Sequence, residues 1–267
     1  MSERIKKTFE IKGKKLITFT TGGDPDLNTS LEILKTIINN GIDIIEIGMP
    51  FSDPMADGPT IQESSVRSLE NGTKLNDIFE LVINIRKFNN ETPIILMGYY
   101  NSIFNLGIDN FTAKCAETGV DGLIIVDLQP EEDSELLTKT KEKGIDLIRL
   151  ITPTTDQKRL TTILSNASGF LYYVTVTGIT GQNSANIEDL KKSINAIKSS
   201  TKLPIVAGFG IKNKNDVEQI SPFTDGVVVG SSIVNIIKDN LNDKNKMINE
   251  IKVFTKDLKE GIKEWIG

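Results

Sequence analysis

The feature that most constrains this chain is a recurrence. Eight short, β-branched runs follow one another: LITFT (16–20), IDIIEIG (42–48), PIILMG (93–98), GLIIVD (122–127), DLIRLI (146–151), FLYYVTV (170–176), PIVAG (204–208) and GVVVG (226–230). Helical patterns fill the intervals, with apolar residues at 3–4 spacing, as in Leu31, Leu34, Ile37 and Ile38. Several of these patterns stop at a glycine just before the next strand: Gly41, Gly119 and Gly144. A G-x-D phrase recurs in GIDIIEIG, GVDGLIIVD and GIDLIRL, so one βα unit is used repeatedly. Strands this apolar on both faces belong to a parallel sheet covered by helices. Eight such units with no linker or composition break predict an α/β fold, a (β/α)8 TIM barrel forming one domain over residues 1–267. An extra N-terminal helix (5–11), placed to close the barrel floor, and an extra C-terminal helical segment (246–265) flank it.

Composition narrows the chemistry. The 267 residues contain no histidine and one cysteine, Cys115. Histidine-based triads, imidazole metal sites, thiolate zinc sites and internal disulfides are excluded. Proton transfer would fall to Asp, Glu, Tyr, Lys or Cys. A net charge of −5 argues against nucleic acid. No apolar run is long enough to span a bilayer, and the polar start MSERIKKTFEIKGKK offers no secretory signal, so a cytoplasmic location (or plastid stroma) is expected.

Barrel active sites lie at the C-terminal strand ends. There the sequence places Asp24 in TTGGDPD, Glu46 inside the second strand, Asp53 and Asp57 in the Pro-broken loop behind it, Tyr99, Tyr100 and Asn101 in GYYN, and Asp127 after the fourth strand. Strand alternation puts Ile44, Glu46 and Gly48 on one face, Ile45 and Ile47 on the other. An inward Glu46 would be desolvated and suited to proton exchange near neutral pH. A structural Glu paired with a distant cation remains the alternative. Asp57 and Asp53 read equally as turn residues, and Tyr172 as core. GITG, GFG and GSS bring Gly181, Gly208, Gly210, Gly230 and Ser231 to adjacent strand ends. Glycine lets backbone N–H groups approach an anion, and Ser231 opens a helix whose N-terminus favours one. Together they read as a phosphate pocket that needs no basic side chain. Singly, each is also a turn or packing glycine.

EIGMPFSDPMADGPTIQ, TGGDPD, LMGYYN, TGITG, VAGFGI and VVVGSSIV, in their proper order between Phe19 and Ile233, resemble the tryptophan synthase alpha subunit family. The resemblance implies retro-aldol cleavage of indole-3-glycerol phosphate to indole and glyceraldehyde 3-phosphate. It implies Glu46 as general acid/base, Asp57 as the carboxylate holding the indole N–H, and Tyr172 as an active-site tyrosine. Phe19, Ile61, Met97 and Tyr99 would line the indole pocket. Thr180 and Gly181 would lie on the loop after strand six, and Gly208, Gly210, Gly230 and Ser231 would cradle the phosphate. No metal or organic cofactor is implied for this chain. Pyridoxal phosphate belongs to a beta subunit, the implied partner in an alpha2beta2 complex, which receives indole through a tunnel and docks near Pro50, Phe51, Asp53, Asn101 and Asn105. One stretch departs from the family: Val126 and Gln129 stand where prolines commonly flank the Asp-Leu step, so the shape of that loop is open. Other phosphate-binding barrels fit less well. A synthase would offer strand-end lysines, and an epimerase His and metal ligands. The motifs would also suit a catalytically silent activating subunit or a stand-alone lyase; the retained Glu46 and Asp57 argue against the silent subunit.

Overall fold

A computed structural model describes residues 1–174, 184–208 and 210–263. Thr180 and Gly181, and the Trp265 end of the expected C-terminal helix, lie outside these residues. Among the described residues, nine strands form one parallel sheet: β1 (Lys15–Thr21), β2 (Ile44–Gly48), β3 (Ile94–Gly98), β4 (Gly122–Ile125), β5 (Asp146–Leu147), β6 (Arg149–Ile151), β7 (Leu171–Val174), β8 (Ile205–Gly208) and β9 (Gly226–Val229). Their order is β5-β4-β3-β2-β1-β9-β8-β7-β6. The two ends of that order, β5 and β6, are halves of one run, so the sheet wraps into a nearly closed barrel.

The eight expected strands thus become nine segments, and the reason is local. Leu147 gives its N–H to the Ser168 hydroxyl at 3.0 Å instead of to a strand carbonyl. Ile148 still donates to the Leu123 carbonyl of β4 at 2.9 Å. Beyond it, Arg149–Ile151 pair with β7. The run keeps its direction through the break.

Side-chain alternation sorts the core into two layers. Ile17, Ile44, Ile95, Ile124, Ile148, Val206 and Val228 fill the barrel interior. Ile45, Ile47, Leu96, Ala207, Val227 and Val229 face outward into the larger cluster shared with the helices. At ~1.5–3 kcal/mol per fully buried aliphatic side chain, this double layer is the main source of stability. Helix Glu3–Glu10 plugs the N-terminal end of the barrel: Ile5 is fully buried with the interior set, and Phe9 packs on Phe170 at 5.6 Å. Ser2 ties that plug down, its N–H bonded to Asp146 and its hydroxyl to Asp121. The expected floor helix is present, displaced slightly toward the start of the chain. At the other end of the sequence, helix Lys244–Lys263 lies across helices Leu27–Asn39 and Lys214–Ile220, with Lys259 ion-paired to Asp43. Helices Ile108–Thr118 and Ser134–Lys143 end at Gly119 and Gly144, both left-handed, as their sequence positions require.

Candidate active site

Glu46 sits in the middle of β2, its Cα paired with Phe19 of β1 and Ile95 of β3. Because Ile45 and Ile47 point to the helices, Glu46 points into the barrel, where it is completely buried. Neither carboxylate oxygen has a hydrogen-bond partner among the described residues. Loss of water alone pushes its pKa up to about 8. It is therefore a neutral carboxylic acid at neutral pH. The alternative of a structural Glu paired with a cation finds no support: Glu46 is in no ion pair among the described residues, and its burial is uncompensated.

The loop behind β2 brings in the second acid. Asp57 donates its N–H to the Pro54 carbonyl, closing a turn, and Gln62 holds the Asp57 carbonyl at 2.9 Å. Pro59 then opens helix Pro59–Glu70, where its missing N–H costs nothing. That helix is fastened to the end of β1. Ser64 meets the Thr21 hydroxyl, Ser68 donates to the Gly22 carbonyl, and Arg67 makes a two-pronged bond to the fully buried Asp24 at 2.8 Å on each prong. Asp57 is partly buried, and its carboxylate accepts from the Tyr99 hydroxyl at 3.0 Å. Tyr99 in turn accepts from the Ala56 N–H at 2.9 Å and stacks on Phe51. Burial raises the Asp57 pKa and the tyrosine bond opposes the rise.

Both acids open onto one cavity of ≈ 550 Å³ at the C-terminal strand ends. Of the sequence-expected residues, Phe19, Glu46, Asp57, Ile61, Met97, Tyr172, Gly210, Gly230 and Ser231 line it. Tyr172 is buried beside Glu46; burial, then the carboxylate charge, raise its pKa well above the usual value. Two expected residues stand back from this wall. Tyr99 borders a small adjoining hollow and reaches the cavity through Asp57. Gly208 lies behind Tyr172, and a Cβ there would fall 2.3 Å from the tyrosine hydroxyl, so glycine is demanded by packing. Helix Ser231–Asp239 begins at the cavity with no side-chain cap, leaving its first N–H groups available to a ligand.

Sequence reasoning missed Lys212, Ser232, Asn235, Ile236 and Phe254, which complete the wall with Ile211 and Val228. Asn235 was findable, one helical turn past Ser231. Phe254 was not, since it comes from the C-terminal helix. Among the residues expected at a partner surface, Pro50 and Phe51 are half-buried and Asp53, Asn101 and Asn105 exposed, beside the exposed Met55 and Phe104. Past the departing Val126, the Asp127 carboxylate accepts the Tyr100 N–H at 2.8 Å and so holds the start of helix Tyr100–Leu106. No group of metal-ligating residues occurs among the described residues, and no helix there is long and apolar enough to cross a membrane.

The family model for the tryptophan synthase alpha chain matches residues 5–263. The tryptophan synthase alpha chain of Petrotoga mobilis is 44% identical over 256 residues, covering 96% of this chain and 98% of the relative. The crystal structure of tryptophan synthase subunit alpha from Legionella pneumophila superposes with a TM-score of 0.91 at 35% identity, covering 99% of each chain. A tryptophan synthase structure from M. tuberculosis superposes at 0.87 with 27% identity, covering 97% of this chain and 98% of that one.

Proposed function

This chain belongs to the tryptophan synthase alpha chain family, lyases of tryptophan biosynthesis that cleave indole-3-glycerol phosphate, and from that premise we propose that Glu46 moves the proton and Asp57 holds the indole ring. The observation that carries the assignment is Glu46: a buried, unpaired acid on the wall of the cavity that Asp57 shares.

The chemistry balances on one carboxyl group. Protonated Glu46 gives its proton to indole C3. The ring becomes cationic, and the Asp57 carboxylate stabilises that charge at the ring N–H. Glu46, now a carboxylate, takes the proton of the side-chain hydroxyl. The C–O bond becomes a carbonyl, the C3–C bond breaks, and its electron pair returns to the ring. Indole and glyceraldehyde 3-phosphate leave, and Glu46 is protonated again. No external acid, base or oxidant is consumed. Phe19, Ile61 and Met97 supply the apolar walls for the ring, and Tyr172 packs beside Glu46 and keeps it dry. Gly208, Gly210, Gly230 and Ser231, with Thr180 and Gly181, take the phosphate, and Gly208 also leaves room for Tyr172.

The reading extends to a beta subunit carrying pyridoxal phosphate, docked over Pro50, Phe51, Asp53, Asn101 and Asn105. The exposed Met55 and Phe104 beside them support it, as apolar groups suited to burial against a partner. Replacing Glu46 with Gln should abolish indole release while leaving the binding of a glycerol-phosphate analogue within a few-fold. Unchanged turnover would refute the proton-transfer role. Running the same assay with and without a beta subunit separates a complexed enzyme from a stand-alone lyase.

A further inference from the structure

We infer that Lys212 is a specificity-determining residue that orients the substrate by the charge of its phosphate, an inference that rests on the reading of the site given above. The cavity is electrically lopsided. Its acids, Glu46 and Asp57, come from β2 and the loop behind it. Gly210, Gly230 and Ser231 come from the ends of β8 and β9. Among the described residues that line it, Lys212 is the only cation, and it stands two residues past Gly210 on the glycine side.

The backbone under this lysine is tied down on both sides. Ile211 is buried, and its carbonyl accepts from the Ser232 hydroxyl at 3.2 Å. That bond ties the turn to the helix that Ser231 opens. The Lys212 N–H donates to Asp216 at 2.7 Å, and Asn213 caps the following helix. The Asp216 carboxylate thus serves the backbone. The Lys212 ammonium is exposed and takes part in no ion pair among the described residues.

Amide N–H groups alone would accept a neutral or singly charged oxygen group at that end. A lysine adds what they lack, a full charge whose attraction rises with the charge of the ligand. It also opposes entry in reverse: a phosphate presented to the Glu46–Asp57 end would meet an anion and a buried acid instead. An exposed lysine stem lets the ammonium follow the phosphate in and out. The contribution of an exposed charge is modest, and salt weakens it.

The test is calorimetric titration of the full chain with 3-(indol-3-yl)propyl phosphate and with its unphosphorylated alcohol, at low and high salt. Lys212→Gln should weaken the phosphate ester about fivefold at low salt, equivalent to ~1 kcal/mol, and about twofold at high salt. Binding of the alcohol should stay within twofold. Lys212→Arg should restore the ester's affinity, and Lys212→Glu should cost more than Lys212→Gln. A Gln variant that keeps the wild-type preference for the ester overturns the inference and leaves the phosphate end of the site standing. So does equal weakening of ester and alcohol, which would mark a structural role. A wild-type protein with no preference for the ester overturns both this inference and the phosphate assignment.

Discussion

Replacing Glu46 with Gln should make the protein more stable, by an amount set by pH. In the unfolded chain this carboxyl ionises at its ordinary 4.5; in the fold it ionises at about 8. Between those values the folded protein holds one proton more than the unfolded chain. Stability therefore falls as pH rises through that window, by ~1.4 kcal/mol per pH unit. The whole gap corresponds to about 5 kcal/mol, present as a penalty above pH 8 and absent below pH 4.5. Relaxation and water entry make this an upper figure. Gln is close to Glu in size and carries no proton to lose. The two proteins should have similar stability near pH 5, with Gln ahead by several kcal/mol at pH 9. Urea unfolding at intervals from pH 5 to pH 9 reads the difference directly. If the Gln-minus-Glu difference stays flat across that range, Glu46 is not held protonated by burial, and the acid step assigned to it loses its basis.

Three further outcomes follow from the same geometry. Tyr99→Phe removes the donor to Asp57 and the acceptor of the Ala56 N–H, so indole formation should slow about tenfold with melting temperature nearly unchanged. Gly208→Ala pushes a methyl group into the Tyr172 hydroxyl and should cost ~1–3 kcal/mol in urea unfolding; adding Tyr172→Phe should recover part of that loss, and two independent losses would contradict the packing argument. Arg67→Ala leaves the buried Asp24 unpaired and should lower stability by ~3–5 kcal/mol at neutral pH, with a clear drop in melting temperature by calorimetry.

Most of the barrel was legible because its signals are local. Alternation along β2 separates Glu46 from Ile45 and Ile47 with no tertiary knowledge, and the cost of burying a charge against the helices favours the inward face for the acid. The break at Ile148 was not legible. It depends on the Ser168 hydroxyl, a residue of the next connection, claiming the Leu147 N–H. The site divides the same way. Residues at strand ends were found because strand ends can be read. Lys212 was passed over because one lysine among many carries no pattern, and Phe254 because the wall it completes is assembled from opposite ends of the chain. Gly208 was read as part of a phosphate cradle or as a packing glycine, and the fold supplies a packing reason, since a Cβ there would meet Tyr172. A glycine in sequence says that space is needed and not what occupies it.

The two carboxyl groups of the site show how one fold gives the same functional group two different surroundings. Among the described residues Glu46 has no donor within reach, so nothing there favours its charged form and burial keeps the proton on. Burial raises the Asp57 pKa too, but that group is only partly buried, and the Tyr99 hydroxyl bonded to its oxygen opposes the rise. On the roles proposed above, an acid that protonates carbon and a carboxylate that steadies a cation need different environments. Exchanging the roles would fail on both sides. A neutral Asp57 would waste the tyrosine bond and leave the ring charge without a counterion, and a charged Glu46 would have no proton to give and no partner for its charge. The difference is made by what covers each group: apolar side chains of the barrel interior over Glu46, and a Pro-fixed loop open to one hydroxyl and to the cavity over Asp57.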